Sequence, residues 1–230
     1  AVVIEPTELK IHPAARGVLW FRITVEGKPV HMGRILEGIS AIDQTIELIG
    51  IMKKYWAKLR RESRHPMFDM YDCPVQMNVG MMNAGDWPAT VPGKSVIEGG
   101  IGFLPTKSME SVKKELKKWI DAHAGTWLKK HYILEFPKLH NDAYSIPISH
   151  PFVKAFGKSV ERCGLDGRLS GMIVSSDSRL FPSVGNMPVI VFGPGRLEDC
   201  HADGECVGIR DLVKTAEVMM EFIVEWCGMA

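Results

Sequence analysis

The stretch Phe192-Gly-Pro-Gly-Arg-Leu-Glu-Asp-Cys-His-Ala-Asp-Gly-Glu205 sets His201 among Asp199, Asp203 and Glu205, directly after an unbroken apolar run. An imidazole can bind a metal through one nitrogen while a carboxylate or carbonyl fixes the other. Loops at the carboxyl ends of buried strands are also where open α/β sheets hold their ligands. On spacing alone, a solvated polar loop with one surface histidine accounts for the segment equally well. Cys200, His201 and Cys206 fit no ordinary zinc-knot spacing. Glu5 follows the short apolar run Val2 to Ile4 and precedes Pro6, where a carboxylate suits an oxygen ligand. Taken alone it is equally a strand-end glutamate facing water.

The elements that must carry these residues follow from periodicity. Leu19, Phe21, Ile23 and Val25 alternate with Val18, Trp20, Arg22 and Thr24, which predicts a strand ending at Glu26-Gly-Lys-Pro29. Ile39, Ile42, Ile46 and Ile49 fall at helical spacing towards Tyr55 and Leu59. Val75 to Met82 and Ser95 to Leu104 read as strands around a turn-rich segment. Ser108 is placed to cap a helix through Val112, Leu116 and Ile120, and His131 to Phe136 reads as a last strand. The order strand, helix, strand, strand, helix, strand predicts an antiparallel sheet covered by two helices, a complete α+β domain over residues 16–137.

Residues 1–15 and 138–230 differ in character. A helix from Pro151 to Cys163, a strand near Leu169 to Val174, the apolar run Val189 to Phe192 and a helix from Asp211 to Trp226 predict part of an α/β domain with a largely parallel sheet. The first residues carry no Met and read as the end of a buried strand, so an upstream segment is expected.

Composition narrows the function. The 28 basic and 27 acidic side chains form no long same-sign run, so neither nucleic acid nor an acidic membrane is an expected partner. Five cysteines without a CxxC pair point to a reducing, cytoplasmic setting. No apolar run approaches the roughly 18 to 20 residues of a membrane span.

Taken in order, the pieces resemble the acetylornithine deacetylase and succinyl-diaminopimelate desuccinylase family of zinc amidohydrolases, which includes aminoacylases and glutamate carboxypeptidases. Glu5-Pro-Thr7 is similar to the family's Glu-Pro-Thr signature. Arg16-Gly17, then Gly27-Lys-Pro-Val-His31-Met-Gly-Arg34, Glu37-Gly38 and Ala41-Ile42 resemble the start of its inserted dimerisation domain. Gly85 to Pro92 and Gly102-Phe-Leu-Pro105 resemble the middle of that insert, Ser175-Ser-Asp-Ser-Arg179 a Thr-Asp-Ala-Arg stretch, and Gly193-Pro-Gly195 with His201 to Glu205 the closing ligand motif.

The resemblance implies a partial zinc-peptidase-like catalytic domain (1–15 and 138–230) with an inserted lid (16–137) that forms a homodimer. It implies that Glu5 and His201 each bind one ion of a zinc pair, with cobalt or manganese also accommodated by such donors. His31 would reach across the dimer to stabilise the tetrahedral oxyanion; without the resemblance it is a solvated loop histidine. Asp177, Arg179, Gly193 and Gly195 would border the substrate, although Asp177 and Arg179 also suit a plain helix start. The implied reaction is hydrolysis of an N-acyl amino acid, acetylornithine-like, or of a dipeptide; a non-catalytic dimerisation or binding module is the competing reading. Ala89 and Gly102 depart from the Asn and Arg often found there, which loosens the substrate assignment. The family's His-x-Asp ligands, bridging Asp and Glu-Glu base have no counterpart here.

Overall fold

In the computed structural model, which describes residues 1–138 and 140–228, the elements run β1 (Val2–Val3), β2 (Ile11–Ala15), β3 (Gly17–Glu26), α1 (Ala41–Glu62), β4 (Met77–Ala84), β5 (Lys94–Phe103), α2 (Met109–His123), β6 (Tyr132–Glu135), β7 (Tyr144–Ser145), α3 (Pro151–Arg162), β8 (Leu169–Met172), α4 (Leu180–Ser183), β9 (Ile190–Val191) and α5 (Ile209–Cys227). They build two units. One comprises Ala1–Arg16, His65–Asp72 and Asp142–Ala230, the other Gly17–Arg64 and Cys73–Asn141.

The second of these is the antiparallel sheet that the alternation implies, in the order β4-β5-β3-β6. Leu19, Phe21, Ile23 and Val25 are buried while Trp20 and Glu26 are exposed, the period-two consequence of packing one face. Ser108 caps α2, its hydroxyl accepting the Ser111 N–H at 3.2 Å, and Val112, Leu116 and Ile120 turn inward. The face of α1 differs from the expected isoleucine stripe. Ile39 precedes the helix and exchanges backbone hydrogen bonds with Lys28, Ser40 caps α1 through the Asp43 N–H, and Ile46 is exposed. The buried residues are Ala41, Thr45, Leu48, Ile51, Met52, Tyr55 and Leu59. This helix is apolar on more than one side, so packing on the sheet, not composition, selects its inward row.

The first unit has a five-stranded sheet in the order β1-β9-β2-β7, with β8 also on β2. Its β1–β9 and β2–β8 ladders are parallel, the antiparallel pairing of β2 with β9 joins them, and β7 pairs antiparallel with β2. No alternation announces β2, whose five residues Ile-His-Pro-Ala-Ala are all buried. Pro13 is tolerated because the β2–β8 register shifts between Ile11 and Ala14. From α3 and α5, Phe152, Phe156, Val160, Val218 and Phe222 pack with Ile11, Ile190 and Phe192. Each such buried side chain contributes roughly 1.5–3 kcal/mol.

His65–Asp72 lies within the span of the insert in sequence but packs in the first unit. Phe68 is buried there over Gly171, where a Cβ would come within 2.4 Å of the ring. Among the described residues no helix is long and apolar enough to cross a membrane.

Candidate metal and substrate site

Glu5 is positioned by a clamp between two loops distant in sequence. The Thr7 hydroxyl accepts the Gly193 N–H at 3.0 Å and donates to the Lys10 carbonyl at 2.7 Å. Glu8 and Leu9 adopt φ of 55° and 60°, which turns their N–H groups onto the Gly195 and Gly193 carbonyls at 2.9 and 3.0 Å. Two left-handed non-glycine residues in succession cost about 1–2 kcal/mol each, so the clamp must hold them. Gly193 is required by close approach: a Cβ there would sit 2.6 Å from the Glu5 carbonyl oxygen and 3.0 Å from Ile4 Cγ2. Gly195 supplies a φ of 83°.

These contacts bring Glu5 into the electrostatic neighbourhood of two further segments. Burial, and then the carboxylate of Asp177, raise the Glu5 pKa. Burial also raises the Cys200 thiol, with Glu205, Glu5, Asp199 and Glu198 acting in the same direction. Arg179 donates to the Ser176 carbonyl at 2.9 Å and to Asp177 Oδ1 at 3.1 Å, so the strand-end loop holds its own carboxylate. His201 is exposed, has a φ of 60°, and donates its backbone N–H to Glu205 Oε2 at 3.0 Å.

Glu5, Asp177, Arg179, Gly193, Gly195 and His201 thus all belong to one unit. His31 belongs to the other, exposed at the N-cap of the 3-10 turn Met32–Glu37, where Nδ1 accepts the Gly33 N–H at 3.2 Å. Thr7 closes the Glu5-Pro-Thr7 signature without an assigned contact of its own, and its hydroxyl is what ties the two loops together. Its signal was its place directly after Glu5-Pro6.

A divalent cation fits part of this arrangement. The partly desolvated Glu5 carboxylate, in the field of Asp177, is the like-charge situation a cation relieves. Among the described residues, however, no three His, Cys, Asp or Glu side chains form a ready-made metal cluster. Glu5 and His201 are the residues that the resemblance puts forward as donors, and four-coordinate zinc takes more than two ligands.

The unit built from Gly17–Arg64 and Cys73–Asn141 has the strand order already described, and residues 14–127 match the peptidase dimerisation domain of the M20 type. The chain carries an M20 dimerisation domain. With that domain it is similar to an N-formyl-4-amino-5-aminomethyl-2-methylpyrimidine deformylase of Halalkalibacterium halodurans, 24% identical over 213 residues, 86% of this chain and 48% of that protein. It is likewise similar to an acetylornithine deacetylase of Vibrio parahaemolyticus, 24% identical over 229 residues, 98% of this chain and 57% of that one. The chain spans about half the length of the curated relatives it matches. A tripeptidase from Staphylococcus aureus shares the fold of the M20 domain and its companion unit, with a TM-score of 0.71 at 18% identity over 95% of this chain and 54% of that one. The relatives are hydrolases acting on amides.

Proposed function

We propose that these residues belong to a cytoplasmic, homodimeric, zinc-dependent hydrolase that cleaves the amide bond of an N-acyl amino acid, with acetylornithine-like substrates first. The observation that supports this reading is the clamp of Thr7 on Gly193, which ties the turn after Glu5 to the loop that leads to His201, with Asp177 acting to raise the Glu5 pKa. In it Glu5 and His201 hold one ion each of a zinc pair. The metal supplies Lewis-acid polarisation of the amide carbonyl and water activation at neutral pH.

The chain's own residues do the rest. Gly193 and Gly195 let the backbone pass close to the site, and Asp177 and Arg179 border the substrate. His31, on the dimerisation domain, donates an N–H to the oxyanion of the neighbouring subunit's substrate. The dimer forms through residues 16–137.

The test is metal content by elemental analysis of the intact protein, with hydrolysis across N-acetyl, N-succinyl and N-formyl amino acids and dipeptides. Two zinc ions per subunit are expected, both diminished in Glu5→Gln and His201→Ala, with an N-acyl amino acid the best substrate. A dipeptide as best substrate replaces the deacylase reading by a peptidase one; no hydrolysis of any amide with zinc bound leaves a dimerisation or binding module. Residues 1–230 assayed alone with added zinc should be inactive, and a normal rate there would overturn the requirement for further ligands.

A further inference from the structure

The 3-10 turn that His31 caps, Met32–Glu37, buries none of its residues. Its large apolar side chains, Met32, Ile35 and Leu36, stand in solvent, Leu36 to 98%. Backbone pairing brings one more beside them. The Met32 N–H donates to the Ala89 carbonyl at 2.9 Å, His31 and Thr90 form an antiparallel bridge, and the Thr90 N–H donates to the Trp87 carbonyl at 3.1 Å. Trp87, 67% exposed, is thereby held on the turn that pairs with the His31 segment. With Ile42, Pro88, Thr90 and Pro92 it walls a depression of about 470 Å³, among whose lining residues only Asp86 is charged.

Little here would hold an anionic group. Arg34 is engaged by Glu37 through two hydrogen bonds at 2.8 and 2.5 Å, and Lys28 lies where its backbone pairs with Ile39, at the far end of the loop. Nδ1 of His31 accepts the Gly33 N–H at 3.2 Å, which leaves Nε2 as the N–H donor of the neutral ring. The turn carries Met32 and Leu36 wherever it carries that donor, and exposed apolar side chains grouped in this way mark a surface that receives an apolar group. The acyl chain of an amide substrate leaves from the carbon that bears the oxyanion, so it is the apolar group nearest to whatever binds that oxygen. The geometry points to a substrate whose acyl chain is apolar, uncharged and longer than acetyl, covered by Met32, Leu36 and Trp87 of the subunit that supplies His31. This inference rests on the proposed hydrolysis and on the role of His31 across the dimer, and narrows the substrate class.

The experiment uses the intact protein and one amino acid carrying an acetyl, hexanoyl, succinyl or aminohexanoyl chain. The kcat/KM for the hexanoyl substrate is expected to exceed that for the acetyl one about tenfold, chiefly through KM, well under the limit for four fully buried methylenes. Two mixed dimers then tie the preference to the turn of His31. One joins His31→Ala to a subunit carrying both Glu5→Gln and Leu36→Ser; the other joins a subunit carrying both His31→Ala and Leu36→Ser to Glu5→Gln. Each leaves one working site, served by the altered turn in the first and by the unaltered turn in the second. The hexanoyl preference should fall about fivefold in the first alone, and by a similar factor in Trp87→Ser homodimers. Equal preference in the two mixtures, or a succinyl or aminohexanoyl chain preferred to hexanoyl, overturns the inference while the hydrolase reading stands. An equal loss on every substrate, with dissociation of the variants in sedimentation, makes the patch a subunit contact and also overturns it. Absence of activity from both mixtures despite verified exchange of subunits overturns the role of His31 across the dimer and this inference with it.

Discussion

The Thr7 hydroxyl and the Gly193 N–H, 186 residues apart in sequence, meet at 3.0 Å in a buried hydrogen bond. The same hydroxyl gives its proton to the Lys10 carbonyl, so one side chain closes the turn that presents Glu5 and ties that turn to the strand-end loop leading to His201. Thr7→Val keeps the shape and leaves the Gly193 amide unpaired. It is expected to destabilise the protein by about 1–3 kcal/mol in chemical denaturation, and to weaken zinc binding to the intact protein. Thr7→Ser should restore most of both.

Gly193→Ala tests the same junction from the other side. The new methyl must displace the Glu5 backbone, which lies 2.6 Å from its ideal position. A loss of about 1–3 kcal/mol is expected from the overpacking. Unchanged stability and unchanged metal content together would show that the two loops are not locked.

His12 makes stability depend on pH with a definite sign. Burial first, then Lys10, push its pKa down to about 4 from an ordinary 6.5. Between those values the unfolded chain binds the proton and the folded chain refuses it, so stability is retained above pH 6.5 and falls as the pH drops towards 4. The full shift amounts to about 3 kcal/mol. Urea denaturation across pH 4 to 7 should give this slope, and His12→Gln should flatten it.

Phe68 anchors His65–Asp72 in the first unit by filling the space that Gly171 leaves open. Phe68→Ala should cost about 3–5 kcal/mol. Limited proteolysis should then cut between residues 65 and 72 first; protection equal to the parent protein would sink the anchoring role.

The cross-subunit role of His31 predicts complementation. His31→Ala and Glu5→Gln homodimers of the intact protein should each be inactive. Dissociated and reassociated as an equal mixture, they should recover roughly a quarter of the parent activity, because half the dimers are mixed and each of those has one intact site. No recovery despite verified exchange of subunits means that His31 does not act across the interface.

The antiparallel domain was legible in the residues because its strands alternate and its helices are capped locally. Val18 to Val25 and Ser108 with Ser111 each specify their element through neighbours in sequence. Strand β2 was not legible, since Ile-His-Pro-Ala-Ala neither alternates nor excludes a loop; it is a strand because β8, β9 and β7 pair with it. The inward row of α1 was misread for a related reason, as several faces of that helix are apolar and only the sheet chooses among them.

The sequence by itself settled the kinds of residue available near His201 and Glu5 and the order of the elements that carry them, because residue type and periodicity are local properties. What only the tertiary structure decided is that Thr7 joins their two loops, that Glu5 lies in the field of Asp177, and that His12 is sealed beside a small cavity. Those outcomes depend on contacts between segments more than 100 residues apart, or on the desolvation of a single ring. Both arise only when the sheet closes.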